Sequence, residues 1–254
     1  MNILESLEKH IAGGFTNPCE SHQGAHIMKT IGIEEYPFDI FCWDKYIDTE
    51  AFCPADDAVS QALDTSGMWE SHVTELFDQI IHQPDDGIVI DIGAHVGWYA
   101  CRAVRAGRDT FAVEANKNYV QLLQNNLDMW ATDTGAEYQV CRGWVDELTA
   151  PFVYPLNVKV IKVDIEGNER FAFRTFETAF KDNTIDYAIL EISPVFNAFY
   201  LDLIRALFFY GYQCFRIDQK GDHDEWTVDN MNEKLEEFPQ VDCIFISPKA
   251  ASLW

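Results

Sequence analysis

The sequence predicts an α/β domain: a mostly parallel, seven-stranded sheet with helices on both faces and an antiparallel strand at one edge. Three observations carry this. From residue 88 onward, short apolar runs alternate with helix-length stretches through short connections. The first run, Ile88-Val89-Ile90-Asp91-Ile92, is apolar nearly throughout, as a strand covered on both faces must be. Acids and glycines close or follow several of the runs, at the sheet end where open α/β sheets bind ligands.

The elements follow in order. Residues 1–84 carry 15 Asp and Glu against three Lys and no Arg, and read as an N-terminal extension or lid. Within it, residues 37–43 alternate like a short strand. Residues 58–82 read as helix, with Val59, Leu63, Val73, Leu76, Phe77 and Ile80 as its apolar positions. Pro84-Asp85-Asp86-Gly87 is a turn, and the main domain is expected over 85–254. Its strands are predicted at 88–92, 110–114, 138–145, 158–164, 186–192, 212–217 and 241–247. Helices are predicted to about Ala106 and over 119–130, 171–180 and 200–210. The last two strands lack a strong helix between them and are expected to pair antiparallel. Residues 222–237, including Trp226, read as an acidic surface excursion. Arg102, Arg105 and Arg108 read as a solvated basic stripe.

Composition limits the function. The 254 residues are 48% hydrophobic and 14% aromatic, ample for a packed core. Forty-two acids against 18 Lys and Arg give a formal charge of -24. Such a surface repels polyanions, so neither nucleic acid nor an anionic membrane is the expected partner. No run approaches the roughly 20 apolar residues of a membrane span, and the N-terminal residues do not resemble a secretory signal. Seven scattered cysteines without a C-x-x-C pair read as reduced thiols of a cytoplasmic protein.

The first strand runs into Asp91-Ile92-Gly93-Ala94-His95-Val96-Gly97. Gly93 permits a tight turn, while Gly97 allows close helix packing or a close backbone approach to a ligand. Glu114 closes the second strand, where this architecture binds ribose hydroxyls, and a carboxylate can accept from two adjacent hydroxyls. The dinucleotide fingerprint G-x-G-x-x-G is absent, and Asp91 would repel a pyrophosphate. A cationic amino-acid tail such as that of S-adenosylmethionine suits the loop better. Glycines serving packing alone are the plainer alternative.

The second half supplies a resemblance. Lys162-Val163-Asp164-Ile165-Glu166-Gly167-Asn168-Glu169, preceded by Val145-Asp146-Glu147-Leu148 and followed by Ile189-Leu190-Glu191-Ile192, resembles the signature of FkbM-type S-adenosylmethionine-dependent O-methyltransferases. Asp56-Asp57-Ala58-Val59-Ser60 and Gly67-Met68-Trp69-Glu70 resemble the lead-in to the glycine loop. The family's Glu-Pro pair reads Glu114-Ala115 here. The resemblance implies a Rossmann-like class I methyltransferase fold and methyl transfer to a hydroxyl, commonly of a sugar or a polyketide-like alcohol. It implies that Asp91, Gly93, Ala94, His95 and Gly97 form the methionine-side loop and that Glu114 and Ala115 meet the ribose. Gly143 and Trp144 are adenine-side candidates and Asp164 borders the cofactor; Glu70 and His72 are expected to cover it as part of a lid, with solvated helix positions as the plainer alternative.

Chemistry at a poorly nucleophilic hydroxyl needs a proton acceptor within hydrogen-bond reach. Asp164 is the first choice and His95 the second, with Glu166 and Glu191 converging beside them if their strands are neighbours. Each has a plainer role available: His95 bonding its own turn, Glu166 capping the next helix. Asp164 and Glu191 suit a hard divalent cation chemically, but no further ligand stands at obvious spacing and no metal is expected. A sugar or glycan acceptor leads. A small secondary-metabolite alcohol, or a non-catalytic partner keeping the cofactor pocket, are the alternatives.

Overall fold

A computed structural model describes residues 2–11, 25–29, 39–43, 57–193, 200–218, 223–238 and 240–252. Cys19, Cys53, Asp56 and Asp222, and the first two residues of the strand predicted at 37–43, lie outside them. The chain begins with α1 (Ile3–Ile11) and a two-stranded antiparallel ribbon, β1 (Ala25–Lys29) and β2 (Asp39–Trp43). It continues through α2 (Ala58–Ser66), α3 (Ser71–Ile81), β3 (Ile88–Ile92), α4 (Trp98–Arg105), β4 (Thr110–Glu114), α5 (Lys117–Thr134) and β5 (Tyr138–Arg142). The second half holds β6 (Val158–Val163), α6 (Glu169–Thr175), α7 (Glu177–Lys181), β7 (Ile185–Ile192), α8 (Tyr200–Phe209), β8 (Gln213–Ile217), β9 (His223–Trp226), α9 (Met231–Glu237) and β10 (Val241–Ile246).

The main sheet has eight strands in the order β5-β4-β3-β6-β7-β10-β8-β9. β3 to β7 run parallel, and the strand order reverses between β3 and β6. β3, β4 and β6 are buried at every residue, in keeping with their apolar runs. β8 and β10 pair antiparallel as predicted, but β10 lies inside the sheet, antiparallel to β7 as well. Its sequence Val-Asp-Cys-Ile-Phe-Ile is apolar on both faces, whereas the charged His-Asp-Glu-Trp of β9 suits an edge.

β9 and α9 correct the reading of residues 222–237 as a surface excursion. Trp226 is fully buried in the core, and Asp224 accepts a bond from Lys234 at 2.7 Å. Helix 58–82 is two helices, because Gly67 ends α2 in the left-handed region (φ +70) and its N–H bonds Leu63 O. The predicted helix 171–180 divides likewise at Phe176.

One core lies on each face of the sheet. α3 packs Val73, Phe77 and Ile80 beside Val89, Ala100 and Val104, while α1 packs Leu4, Leu7 and Ile11 on the opposite face. Among the described residues no helix is long and apolar enough to cross a membrane. Cys101, Cys141, Cys214 and Cys243 are buried and form no disulfide.

The arginine stripe is not solvated. Arg102 is buried against Asp78 of α3, and Arg105 lies over the Trp130 ring at 4.7 Å. Arg108, beyond the Gly107 turn, donates to Ile81 O at 2.7 Å and to Asp85 at 2.8 Å. At this amino end of the sheet, Lys159 is wholly buried and donates to Gln83 (2.7 Å) and Asp85. These bonds knit the 82–87 turn to the strands and leave the other end free for a cavity.

Candidate active site

A cavity of about 730 Å³ opens at the carboxyl ends of β3, β4, β5 and β6, at the reversal in strand order. The glycine loop forms one wall. Gly93 stands at φ +88, and a Cβ there would lie 1.8 Å from the Asp164 carbonyl oxygen, so only glycine lets the end of β6 pass. α5 fixes the back of the loop: Asn126 donates to Val96 O at 2.6 Å.

Glu114 ends β4 with both carboxylate oxygens oriented by backbone. His95 N–H donates to one at 2.8 Å and Asn116 N–H to the other at 2.7 Å. Each oxygen keeps a further lone pair for a ligand hydroxyl. His95 itself sits at φ +53, with Nε2 3.1 Å from Asp57 Oδ1 and its ring 3.6 Å from that of Tyr119. Its Nδ1 is buried without a partner among the described residues. Asp57 also accepts from Ser60 N and so caps α2. Burial alone would push its carboxyl up, but bonds from His95 and Ser60 hold it below the ordinary range.

Asp164 follows β6 across the cavity, its Oδ2 3.0 Å from Lys162 Nζ. Glu166 lies at φ +55 on the rim, its carboxyl pushed up by partial burial and by Asp164 and Glu169. Glu166 does not cap α6, whose N-cap is Asn168 without a side-chain cap bond; the carboxylate that orders this turn is that of Glu169. Its buried carboxylate accepts from Ile165 N at 3.0 Å, Gly167 N at 3.3 Å and Tyr200 Oη, fixing the loop that carries Asp164.

Gly93, Ala94, His95, Glu114, Ala115, Gly143, Trp144, Asp164 and Glu166 therefore line one cavity. Trp144 is 64% exposed at its mouth, beyond β5, which ends at Arg142 rather than Val145. Four expected site residues stand outside the lining. Asp91 is 2% exposed beneath the loop and accepts from Ala100 N at 3.1 Å, closing the first turn of α4. Gly97 faces α5, where a Cβ would meet Leu123 at 2.7 Å. Glu70 accepts from Tyr99 Oη at 2.7 Å, and Glu191 accepts from Gln240. Asp57, Trp69, Trp98, Tyr119, Lys162 and Asn168 line the cavity without having been singled out.

Burial, moderated by Lys162, pushes the Asp91 carboxyl up to about 7. A carboxyl raised on folding favours the fold in its protonated form. That contribution is complete below about 4 and is lost as the pH rises through about 7. Asp91→Asn keeps an acceptor for Ala100 and carries no charge. In urea unfolding it is expected to match the wild type at pH 4 and exceed it at pH 8 by on the order of 1–3 kcal/mol. An equal difference at both pH values contradicts this.

The strand order is that of the Rossmann-like α/β fold of class I methyltransferases. No protein-family model and no curated protein matches the chain. Among solved structures, it is similar to precorrin-6y C5,15-methyltransferase from Geobacter metallireducens, with 14% identity, TM-score 0.45, and coverage of 76% of this chain and 96% of that one. A TehB-like SAM-dependent methyltransferase from Corynebacterium glutamicum aligns with 12% identity and TM-score 0.43 over 74% and 93%. The tRNA (uracil-54, C5)-methyltransferase of Pyrococcus abyssi, in complex with S-adenosyl-L-homocysteine, aligns with 11% identity and TM-score 0.44 over 86% and 43%.

Proposed function

We propose that this chain is an S-adenosylmethionine-dependent methyltransferase acting on a neutral hydroxyl of a carbohydrate, in the cytoplasm. The observation that carries the reading is Glu114, its two oxygens oriented by backbone amides opposite a loop that only Gly93 can form. The cavity fits the cofactor by its size and by its ribose-type carboxylate. Glu114 would hold the ribose hydroxyls, Gly93 and Ala94 the methionine side, and Gly143 and Trp144 the adenine side.

When bound, S-adenosylmethionine supplies an electrophilic methyl group. Asp164 would take up the proton that the acceptor hydroxyl gives up when it is methylated. Choice of oxygen as the nucleophile rests on the resemblance of Lys162–Glu169 to the FkbM-type signature. Choice of a neutral acceptor rests on charge: Asp57, Glu114, Asp164 and Glu166 line the cavity, and Lys162 is the one lysine or arginine of its lining among the described residues. A phosphate backbone would meet repulsion there.

Calorimetry with S-adenosylhomocysteine tests the cofactor, and no heat at millimolar ligand would end the proposal. Glu114→Ala is expected to weaken binding about 10–100-fold. Asp164→Asn is expected to leave binding within about threefold, yet lower methyl transfer by about 10²–10⁴. Labelled methyl transfer to glycans, free alcohols and tRNA identifies the acceptor, and label on tRNA alone would overturn the sugar assignment.

A further inference from the structure

Asp57 and His95 come from separate segments and meet in the lining of the cavity, beside Glu114. Asp57 is the N-cap of α2 and is buried. His95 sits in the glycine loop at φ +53, a left-handed conformation that a residue other than glycine adopts only at a cost. Its backbone N–H donates to Glu114 Oε2 at 2.8 Å, and its Nε2 lies 3.1 Å from Asp57 Oδ1. Its ring lies against that of Tyr119, the centres 3.6 Å apart. The Tyr119 hydroxyl also bonds Asp57, so one buried carboxylate gathers α2, the glycine loop and the first turn of α5. Burial alone would push that carboxyl up, yet its bonds from His95 and Ser60 hold it below the ordinary range. An ionised carboxylate only accepts, so Nε2 carries the hydrogen of the bond. The other ring nitrogen, Nδ1, is out of reach of solvent. His95 therefore presents no open lone pair to a substrate hydroxyl, and its side chain serves position.

We propose that Asp57 and His95 form a clasp for the cofactor: Asp57 is a positioning residue that, through the His95 ring, holds the residue-95 N–H on Glu114 and the start of α2 against the cavity. The inference rests on the methyl-transfer reading, in which Glu114 meets the ribose. Without the clasp, the strained peptide at residue 95 can relax and turn its N–H away from Glu114. Glu114 then loses one of the two backbone donors that orient its oxygens. Ala58 and Val59, which follow Asp57 in the lining, lose their tie to the loop.

Asp57→Ser separates this role from helix capping, because serine caps a helix about as well as aspartate but is too short to reach His95. His95→Gly keeps the backbone N–H and takes φ +53 without strain, but lacks the imidazole. In the full chain without cofactor, NMR should show the residue-95 amide exchanging about tenfold faster or more in both variants. Calorimetry should show S-adenosylhomocysteine bound about 5–30-fold more weakly by each. The double variant should match the weaker single variant within about twofold, because both substitutions remove one link. Losses that multiply would mean two independent contacts and overturn the clasp. Either quantity unchanged in Asp57→Ser also overturns it, and both unchanged is what a helix cap alone predicts. If the wild type itself binds no S-adenosylhomocysteine, the proposed function falls, while the exchange rates still decide whether the clasp holds the loop. If Asp57→Ser does not fold, His95→Gly carries both readings, and wild-type values there overturn the proposal.

Discussion

Gly93→Ala is expected to destabilise the domain by about 3–5 kcal/mol and abolish binding of S-adenosylhomocysteine. Two costs combine at this position. Alanine at φ +88 is strained by about 1 kcal/mol or more. Its Cβ would also fall 1.8 Å from the backbone oxygen of Asp164 and 3.2 Å from Ile165 Cγ2. The oxygen belongs to main chain at the end of a central strand, so relief requires β6 to move relative to β3, and that motion displaces Asp164. Gly135→Ala separates the two costs: φ is +72 at the end of α5, but a Cβ there meets nothing within 4 Å. It should cost only about 1 kcal/mol. Equal losses in urea unfolding would show that backbone strain, not the approach of β6, is what makes Gly93 necessary.

The parts of the molecule legible in the sequence are those where one physical requirement dominates. Strands covered on both faces must be apolar, so β3, β4, β6 and β7 declare themselves. Ligand-facing loops follow strand ends, so Gly93, Glu114 and Asp164 can be found from position alone. β9 escaped because an edge strand needs little apolar surface: of His223-Asp224-Glu225-Trp226, one residue anchors it in the core. The break between α2 and α3 escaped because the apolar spacing continues across Gly67 while the backbone does not. Arg102 and Arg108 were misplaced because helical spacing identifies a face but not what packs on it.

The site divides in the same way. Asp91 and Gly97 stand in the glycine loop by sequence, yet their side-chain positions serve the α4 turn and the α5 contact. Which side of a loop faces a ligand is set by tertiary packing. Glu70 and Glu191 are near the chemistry but turned to Tyr99 and Gln240. Asp57 and Tyr119 reach the cavity from remote segments through His95, and spacing along the chain carries no trace of that. Lys162 did leave a signal: a lysine inside Val-Lys-Val-Ile-Lys-Val, where a strand covered on both faces has no solvent to offer it. Such a residue implies a buried partner, and here the partners are the carboxylates beside the cavity.

Removing the carboxylate that holds α3 to α4 should have an effect as large as the glycine substitution. Asp78 and Arg102 are both buried, joined by Nε to Oδ1 at 2.7 Å and by a second bond from Nη2, with the guanidinium carbon 4.9 Å from the Trp98 ring centre. Asp78→Ala takes away a bidentate partner and leaves the guanidinium charge in the core, an expected loss of about 3–5 kcal/mol. Asp78→Leu combined with Arg102→Met replaces both charges with apolar volume and should recover most of that loss, to within about 1–2 kcal/mol of the wild type. α4 lends Trp98 and Tyr99 to the cavity lining, and α3 packs behind them. Trp98 donates its indole N–H to Thr74 at 2.8 Å, and Glu70, which precedes α3, faces Lys162. Loosened helices should therefore weaken S-adenosylhomocysteine binding in Asp78→Ala, and the double variant should restore it together with stability. Recovery of stability without recovery of binding would mean that the ion pair sets the angle of α3 through its directional bonds, and that packing alone does not. A single variant as stable as the wild type would remove the pair from any part in holding the cleft.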